Sequence, residues 1–211
     1  WSTGLLTPQD WRAKWIGLDG GEEIRPFWKD AQWIWTEDKK APDVYFRRTI
    51  AIPDKRHVKS ATMMLISAGG FVLYMNGTKG AAGNGPVAPE HVATVDISES
   101  LHVGDNVLAV AARGGANQAS GLIGEVRVEF GEGPPLVVPT GASWRISTRL
   151  EPGWEAASFV AGNWLPASEL GPHGTAPWPR LVDDERRLPA RMLRHEFQVE
   201  SKIKRATAYV C

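Results

Sequence analysis

The stretch Leu122-Ile123-Gly124-Glu125-Val126-Arg127-Val128-Glu129-Phe130 has the cleanest alternation in the chain. Gly124, Val126, Val128 and Phe130 share one side, and Glu125, Arg127 and Glu129 take the other. A period of two belongs to a strand with one face on a core and the other toward water. Upstream, residues 44–52 repeat the pattern, with Val44, Phe46, Ile50 and Ile52 opposed to Tyr45, Arg47 and Thr49. Residues 62–67 form an apolar run long enough for one buried strand. Phe71, Leu73 and Met75 alternate up to Asn76-Gly77, a dipeptide that readily supplies the positive φ values of a tight hairpin turn. Asn76-Gly77-Thr78 also matches the glycosylation sequon, although turn chemistry accounts for it as well. Residues 92–97 are a further candidate strand, and 101–106 read as a turn delivering a strand over 107–112. Trp144, Ile146 and Thr148 supply one more downstream. Helical periodicity is nearly absent. About seven short strands at spacings of roughly 8–12 residues predict an all-β antiparallel sandwich.

Composition agrees. The 211 residues include 22 Gly and 15 Pro, too much punctuation for a helical bundle. With 24 Lys+Arg against 24 Asp+Glu the formal charge is zero, so no nucleic-acid or membrane-surface partner is expected. Cys211 is the single cysteine, which excludes a disulfide framework and a cysteine-based zinc site. No apolar run approaches the roughly 18 residues that span a bilayer, and no signal peptide opens the sequence. The compartment stays open between periplasmic or secreted and cytoplasmic. Ten Trp against three Tyr and six Phe is an unusual balance, because Trp often ends half-exposed as a flat binding platform.

The two ends stand apart from this pattern. Residues 1–22 read as the first segment of a second sandwich, 23–182 as an inserted domain, and 183–211 as the continuation of the split sandwich. The last strand, Ala206-Thr207-Ala208-Tyr209-Val210, stops at Cys211 with no following partner, so the chain reads as a fragment. That strand predicts self-association or poor order over 188–211.

Motifs for catalysis are missing: no phosphate-binding loop, no Gly-x-Ser-x-Gly elbow, no His-Glu-x-x-His helix. His195-Glu196 falls on an expected strand, where neighbours point to opposite faces and cannot act as a pair. Glu22-Glu23 and Asp183-Asp184 lie in polar, linker-like segments. His57, His91, His102, His173 and His195 have no ligand spacing, so neither a catalytic residue nor a metal ligand is assigned.

A binding face is better supported. Loops of a sandwich can gather Trp33 and Trp35, Asn84-Gly85-Pro86, and Gly115-Ala116-Asn117-Gln118-Ala119. Asn163-Trp164 and His173-Gly174-Thr175-Ala176-Pro177-Trp178 can join them. Sugars are recognised by an aromatic plane against their C–H face and by planar amides at their hydroxyls. The expected contact residues are Trp35, Asn84, Asn117, Gln118, Asn163, Trp164 and Trp178. The inventory suits a neutral saccharide, and the lack of clustered Arg and Lys suits a polyanion poorly. The competing reading is that Trp33, Trp144 and Trp178 simply cap the core.

The opening Thr3-Gly4-Leu5-Leu6, followed by Asp10-Trp11-Arg12-Ala13-Lys14-Trp15-Ile16-Gly17, resembles the start of the N-terminal β-sandwich of bacterial α-L-rhamnosidases of glycoside hydrolase family 78. Leu188-Pro189-Ala190-Arg191-Met192-Leu193 and Lys204-Arg205-Ala206-Thr207-Ala208-Tyr209-Val210 resemble its continuation. The material between is similar to a galactose-binding-like jelly roll, and to the rhamnose-binding modules of carbohydrate-binding module family 67. The matching stretches include Gln32-Trp33-Ile34-Trp35, Val44-Tyr45-Phe46-Arg47-Arg48, Phe71-Val72-Leu73-Tyr74-Met75-Asn76-Gly77 and Gly104-Asp105-Asn106-Val107-Leu108. The resemblance implies a jelly roll inserted into a partial second β-sandwich. It further implies a non-catalytic accessory fragment that binds rhamnose-containing or related saccharides, with the catalytic carboxylates on a downstream (α/α)6 barrel. The alternatives are a structural spacer packing on that barrel and an accessory domain of a polysaccharide lyase. Related modules carry acidic or amide residues before the Phe-x-Leu-Tyr-x-Asn-Gly strand, where they help to bind calcium and sugar. Here that position reads Ala68-Gly69-Gly70, which offers no carboxylate to a hard cation, so no cofactor is expected.

Overall fold

The chain divides into two compact units, Arg25–Asp184 and a second made of Trp1–Ile24 with Glu185–Cys211. A computed structural model describes residues 28–85, 87–88, 91–115, 119–179, 181 and 202. Apart from Lys202, the expectations placed on 1–22 and 183–211, the strand at Ala206 included, lie outside the described residues.

The described part of Arg25–Asp184 is all-β. Its strands are β1 (Gln32–Trp35), β2 (Asp43–Ile52), β3 (Val58–Ser67), β4 (Phe71–Met75), β5 (Thr78–Gly83), β6 (Ala93–Asp96), β7 (Gly104–Arg113), β8 (Leu122–Phe130), β9 (Leu136–Pro139), β10 (Arg145–Ser147), β11 (Leu165–Pro166) and β12 (Ser168–Pro172). They build two six-stranded sheets, and every pairing is antiparallel. The first sheet runs β12-β1-β8-β3-β6, with β9 also on β8, and the second runs β11-β10-β2-β7-β4-β5.

The alternation read from the sequence sets which faces meet. Val44, Phe46, Ile50 and Ile52 of β2 turn inward, as do Leu73 of β4, Leu108 and Val110 of β7, and Val126 and Val128 of β8. Together they fill one core between the sheets, where each fully buried aliphatic or aromatic side chain stabilises by about 1.5–3 kcal/mol. Between β4 and β5, Asn76 and Gly77 have φ of 49° and 86°, the two positive values of a primed hairpin turn. The Asn76 side chain also ties this turn to the start of β7. Its Oδ1 accepts from Val107 N–H at 2.7 Å, and its Nδ2 donates to Ser100 O at 2.9 Å and Asn106 Oδ1 at 3.0 Å. The amide nitrogen that a sequon would offer for glycosylation is thereby engaged within the fold.

Five strands were not anticipated: β1, β5, β9, β11 and β12. β5 reads Thr78-Lys79-Gly80-Ala81-Ala82-Gly83 and has no apolar period; it is a strand because the turn folds it back onto β4. β1 hid its period differently. A register irregularity between Trp33 and Ile34 lets Trp33 face outward while Ile34 and Trp35 both enter the central core. Trp33 and Trp35 therefore sit on a strand rather than on a loop.

Candidate functional site

Each sheet carries a tryptophan-rich cluster on its outer face. On the first sheet Trp33 packs with Ile66, Ile123, Trp178 and Leu181. The Trp33 and Trp178 rings stack at 4.6 Å and 12°, and the Trp178 indole N–H donates to Ala119 O at 3.1 Å. On the second sheet Trp154 and Trp164 pack over Val107 and Ala109, with Tyr45, Tyr74 and Phe159 around them. The Trp164 indole N–H donates to Glu151 Oε1 at 2.7 Å.

Arg47 secures that second cluster. It is 6% exposed on the outer face of β2, and its guanidinium donates to the carbonyls of Trp154, of Ala156 at 3.1 Å and of Phe159 at 3.2 Å. Burial lowers its pKa from the ordinary arginine value, with Glu155 pulling weakly the other way. Tyr45 beside it is shifted up, first by burial and then by Asp43.

A cleft of about 660 Å³ opens where β2 begins and β7 ends. Gly114 N–H bonds to Pro42 O at 2.7 Å and Arg113 N–H to Gly70 O at 2.9 Å, so the loops converge through their backbones. Ala41, Pro42, Leu170, Pro177 and Trp178 give the cleft an apolar wall. Lys39, Lys40, Arg113 and Ser120 supply polar donors around it. Arg113 has only a loose ion pair, 3.8 Å to Asp43, with both side chains more than half exposed, which leaves its charge largely available.

Ala68-Gly69-Gly70 has a steric reason for its glycines. A Cβ on Gly69 would stand 2.1 Å from Gly114 O, and one on Gly70 would stand 2.5 Å from Asn84 Oδ1. Two segments cross here too closely for side chains. Ala68, Gly69 and Gly70 themselves offer no side-chain oxygen to a cation, and the Gly70 carbonyl accepts from Arg113 N–H. Among the described residues no group of three or more His, Cys, Asp and Glu side chains is placed to hold a metal.

The seven expected contact residues do not come together as one set. Trp178 lines the cleft, and Asn84 lies against Gly70 at the same crossing. Asn117 and Gln118 lie outside the described residues, in the segment between Gly115 and Ala119. Asn163 is exposed beside Trp164, which is 5% exposed and belongs to the cluster on the opposite outer face. Trp35 is a core residue, wholly buried against Phe46 with ring centroids 5.8 Å apart. It presents no face to a ligand, because the β1 irregularity turned it inward.

One feature ran against the sequence reading. Arg47, Arg48 and Arg145 line a second cleft of about 460 Å³ with Thr49, Ser143 and Phe159. β10 pairs with β2 so that Arg145 stands directly opposite Arg47. The cations are clustered after all, by a strand pairing that joins residues about a hundred positions apart in sequence. The Arg47-Arg48 dipeptide was the only signal on the page, and nothing local announced its partner.

No family model matches the chain. It is 29% identical over 221 residues to an alpha-L-rhamnosidase of Streptomyces avermitilis, a match that covers 99% of this chain and 21% of that protein. The chain is homologous to one segment of an alpha-L-rhamnosidase. The crystal structure of the Streptomyces avermitilis alpha-L-rhamnosidase complexed with L-rhamnose superposes with a TM-score of 0.68 at 25% identity, over 85% of this chain and 18% of that one. The chain thus spans about a fifth of the length of these relatives. In fold it also resembles a lectin from Pleurotus ostreatus in complex with GalNAc, with a TM-score of 0.63 at 24% identity over 72% of this chain and 45% of the lectin. A family 78 rhamnosidase from a Bacillus species gives 0.62 at 24% identity, over 74% of this chain and 20% of that one. The homology to a segment of a rhamnosidase makes this a carbohydrate-related domain, and its two sheets fit a jelly roll.

Proposed function

We propose that the unit Arg25–Asp184 is a non-catalytic saccharide-binding domain of a longer rhamnosidase-like enzyme, with its ligand in the cleft beside Trp178. The observation that carries this reading is the convergence of an apolar wall and flexible donors in a space of about 660 Å³, the size of ordinary sugar and cofactor sites. Ala41, Pro42 and Pro177 suit the C–H face and methyl group of a 6-deoxy sugar such as rhamnose, while Lys39, Lys40 and Arg113 suit its hydroxyls. Its partners are then a rhamnose-containing or related saccharide and a downstream catalytic domain. Tethering such a module to that domain raises the local concentration of polymer without new chemistry.

Calorimetric titration with L-rhamnose, once with calcium and once with a chelator, tests the reading. Binding is expected in both, equal within error, and weakened by Arg113→Gln and by Lys40→Gln, which change exposed side chains. Absence of heat with L-rhamnose and with a panel of neutral sugars would overturn it in favour of a structural spacer. Binding that needs calcium would overturn the calcium-free site described above.

A further inference from the structure

The arginine cleft is a surface that the saccharide reading leaves unused. Arg47 and Arg145 are register partners on neighbouring strands, and like charges directly opposite one another destabilise a sheet. Among the described residues, neither they nor Arg48 has a carboxylate within ion-pair distance; the described ion pairs are Arg113 with Asp43 and Arg127 with Glu129. Arg48 donates to Ser143 O at 3.0 Å, and its Nε is buried. Phe159 closes the cleft with a half-buried ring.

We propose that this cleft binds the carboxylate of an acidic sugar residue, a second saccharide subsite distinct from the cleft at Trp178. Resting on the carbohydrate reading above, it names a different ligand chemistry. A carboxylate accepts in the plane that a guanidinium fork presents, and one carboxylate facing Arg145 relieves its like-charge register with Arg47. The Phe159 ring offers a surface for the C–H face of the same sugar, and the Thr49 hydroxyl a partner for its hydroxyl groups. The volume of about 460 Å³ accommodates a sugar ring with part of its neighbour. Arg47 is held by three backbone carbonyls, so it contributes field rather than a free fork.

The test is an amide-resolved NMR titration of the full 211-residue chain with a uronic-acid trisaccharide, a neutral trisaccharide of equal length and sodium sulfate as separate probes. The uronate is expected to move resonances of Thr49, Ser143, Arg145 and Phe159. Arg145→Gln, an exposed change, is expected to weaken it about tenfold, and 0.5 M salt to weaken it further. Lys40→Gln leaves it unchanged. A neutral trisaccharide that shifts the same residues equally would overturn the proposal, as would sulfate binding as tightly as the uronate. An unaltered affinity in Arg145→Gln would overturn it too. Shifts around Ala176 and Trp178 with neutral sugar report on the first cleft alone, so either subsite can fail without the other.

Discussion

Replacing Arg47 by methionine keeps the aliphatic stem and removes the donors that hold the segment 149–164 against the second sheet. The guanidinium serves the carbonyls of Trp154, Ala156 and Phe159, and its Cζ lies 5.2 Å from the Phe159 ring centroid. Hydrogen bonds to a charged donor contribute about 1.5–3 kcal/mol each, so three give roughly 4–9 kcal/mol gross. Taking the cation out of water offsets several kcal/mol of that, consistent with its lowered pKa. The net loss expected for Arg47→Met is therefore about 3 kcal/mol. It should appear first as local release, because the segment's other backbone hydrogen bonds are short turns such as Ala156 N–H to Gly153 O and Trp164 N–H to Ala161 O, leaving ring packing to hold it. The assay is hydrogen exchange by amide, with tryptophan emission in parallel. Faster exchange over 153–165 and a red shift from Trp154 and Trp164 are expected, with β2 and β7 protected as before. Arg47→Lys should not rescue, since one ammonium cannot span three carbonyls arranged for a planar fork. A loss under about 0.5 kcal/mol with unchanged emission would refute the role given to Arg47.

Three further outcomes follow from the same geometry. Burial, opposed by Arg127 and reinforced by Asp30, raises the Glu125 pKa above its ordinary 4.5. Stability is therefore lost as pH rises from that ordinary value through the raised one, and the loss is complete above it. Glu125→Gln should stabilise at pH 7 and lose that advantage near pH 3.5, as denaturation midpoints at the two pH values would show; an equal gain at both would contradict the assignment. Asn106 is fully buried and exchanges four hydrogen bonds, with His102 N–H and O, Gly104 O and Asn76 Nδ2. Asn106→Ala should cost about 2–4 kcal/mol in urea unfolding, less than four full bonds because His102 and Gly104 can turn to water. Gly69→Ala drives a methyl against Gly114 O and should cost about 1–3 kcal/mol or more, while shifting the amides of Gly114 and Gly115 in an NMR spectrum.

The legible part of this protein was its central sheet register. β2, β4, β7 and β8 carry a period of two with real contrast between faces, and the core selected those faces. Where a strand is apolar on both sides, the signal vanishes. Trp33 and Trp35 lie two apart and should share a face, yet one joins the outer cluster and the other the core. Only the irregularity between Trp33 and Ile34 explains it, and no residue preference marks that position. Of the loop inventory, Trp178 lines the cleft beside Gly114, and Asn84 lies against Gly70. The inventory dispersed at Trp164 because that indole found its partner in Trp154, on a face that linear order could not assign.

Where the charges gather was not legible in the sequence. Balanced totals of 24 and 24 describe a sum, whereas recognition depends on where like charges are brought together. The alternation that buries Phe46 forces Arg47 onto the outer face, and the antiparallel register with β10 puts Arg145 opposite it. Arg48 falls on the inner side, where a cation has no place in the core, and donates to Ser143 O at 3.0 Å. Three arginines thus converge because the hydrophobic pattern leaves them nowhere else to go. A fold that merely needed solubility would be served by a carboxylate at one of these positions. The cleft they line is the one proposed above to take the carboxylate of an acidic sugar.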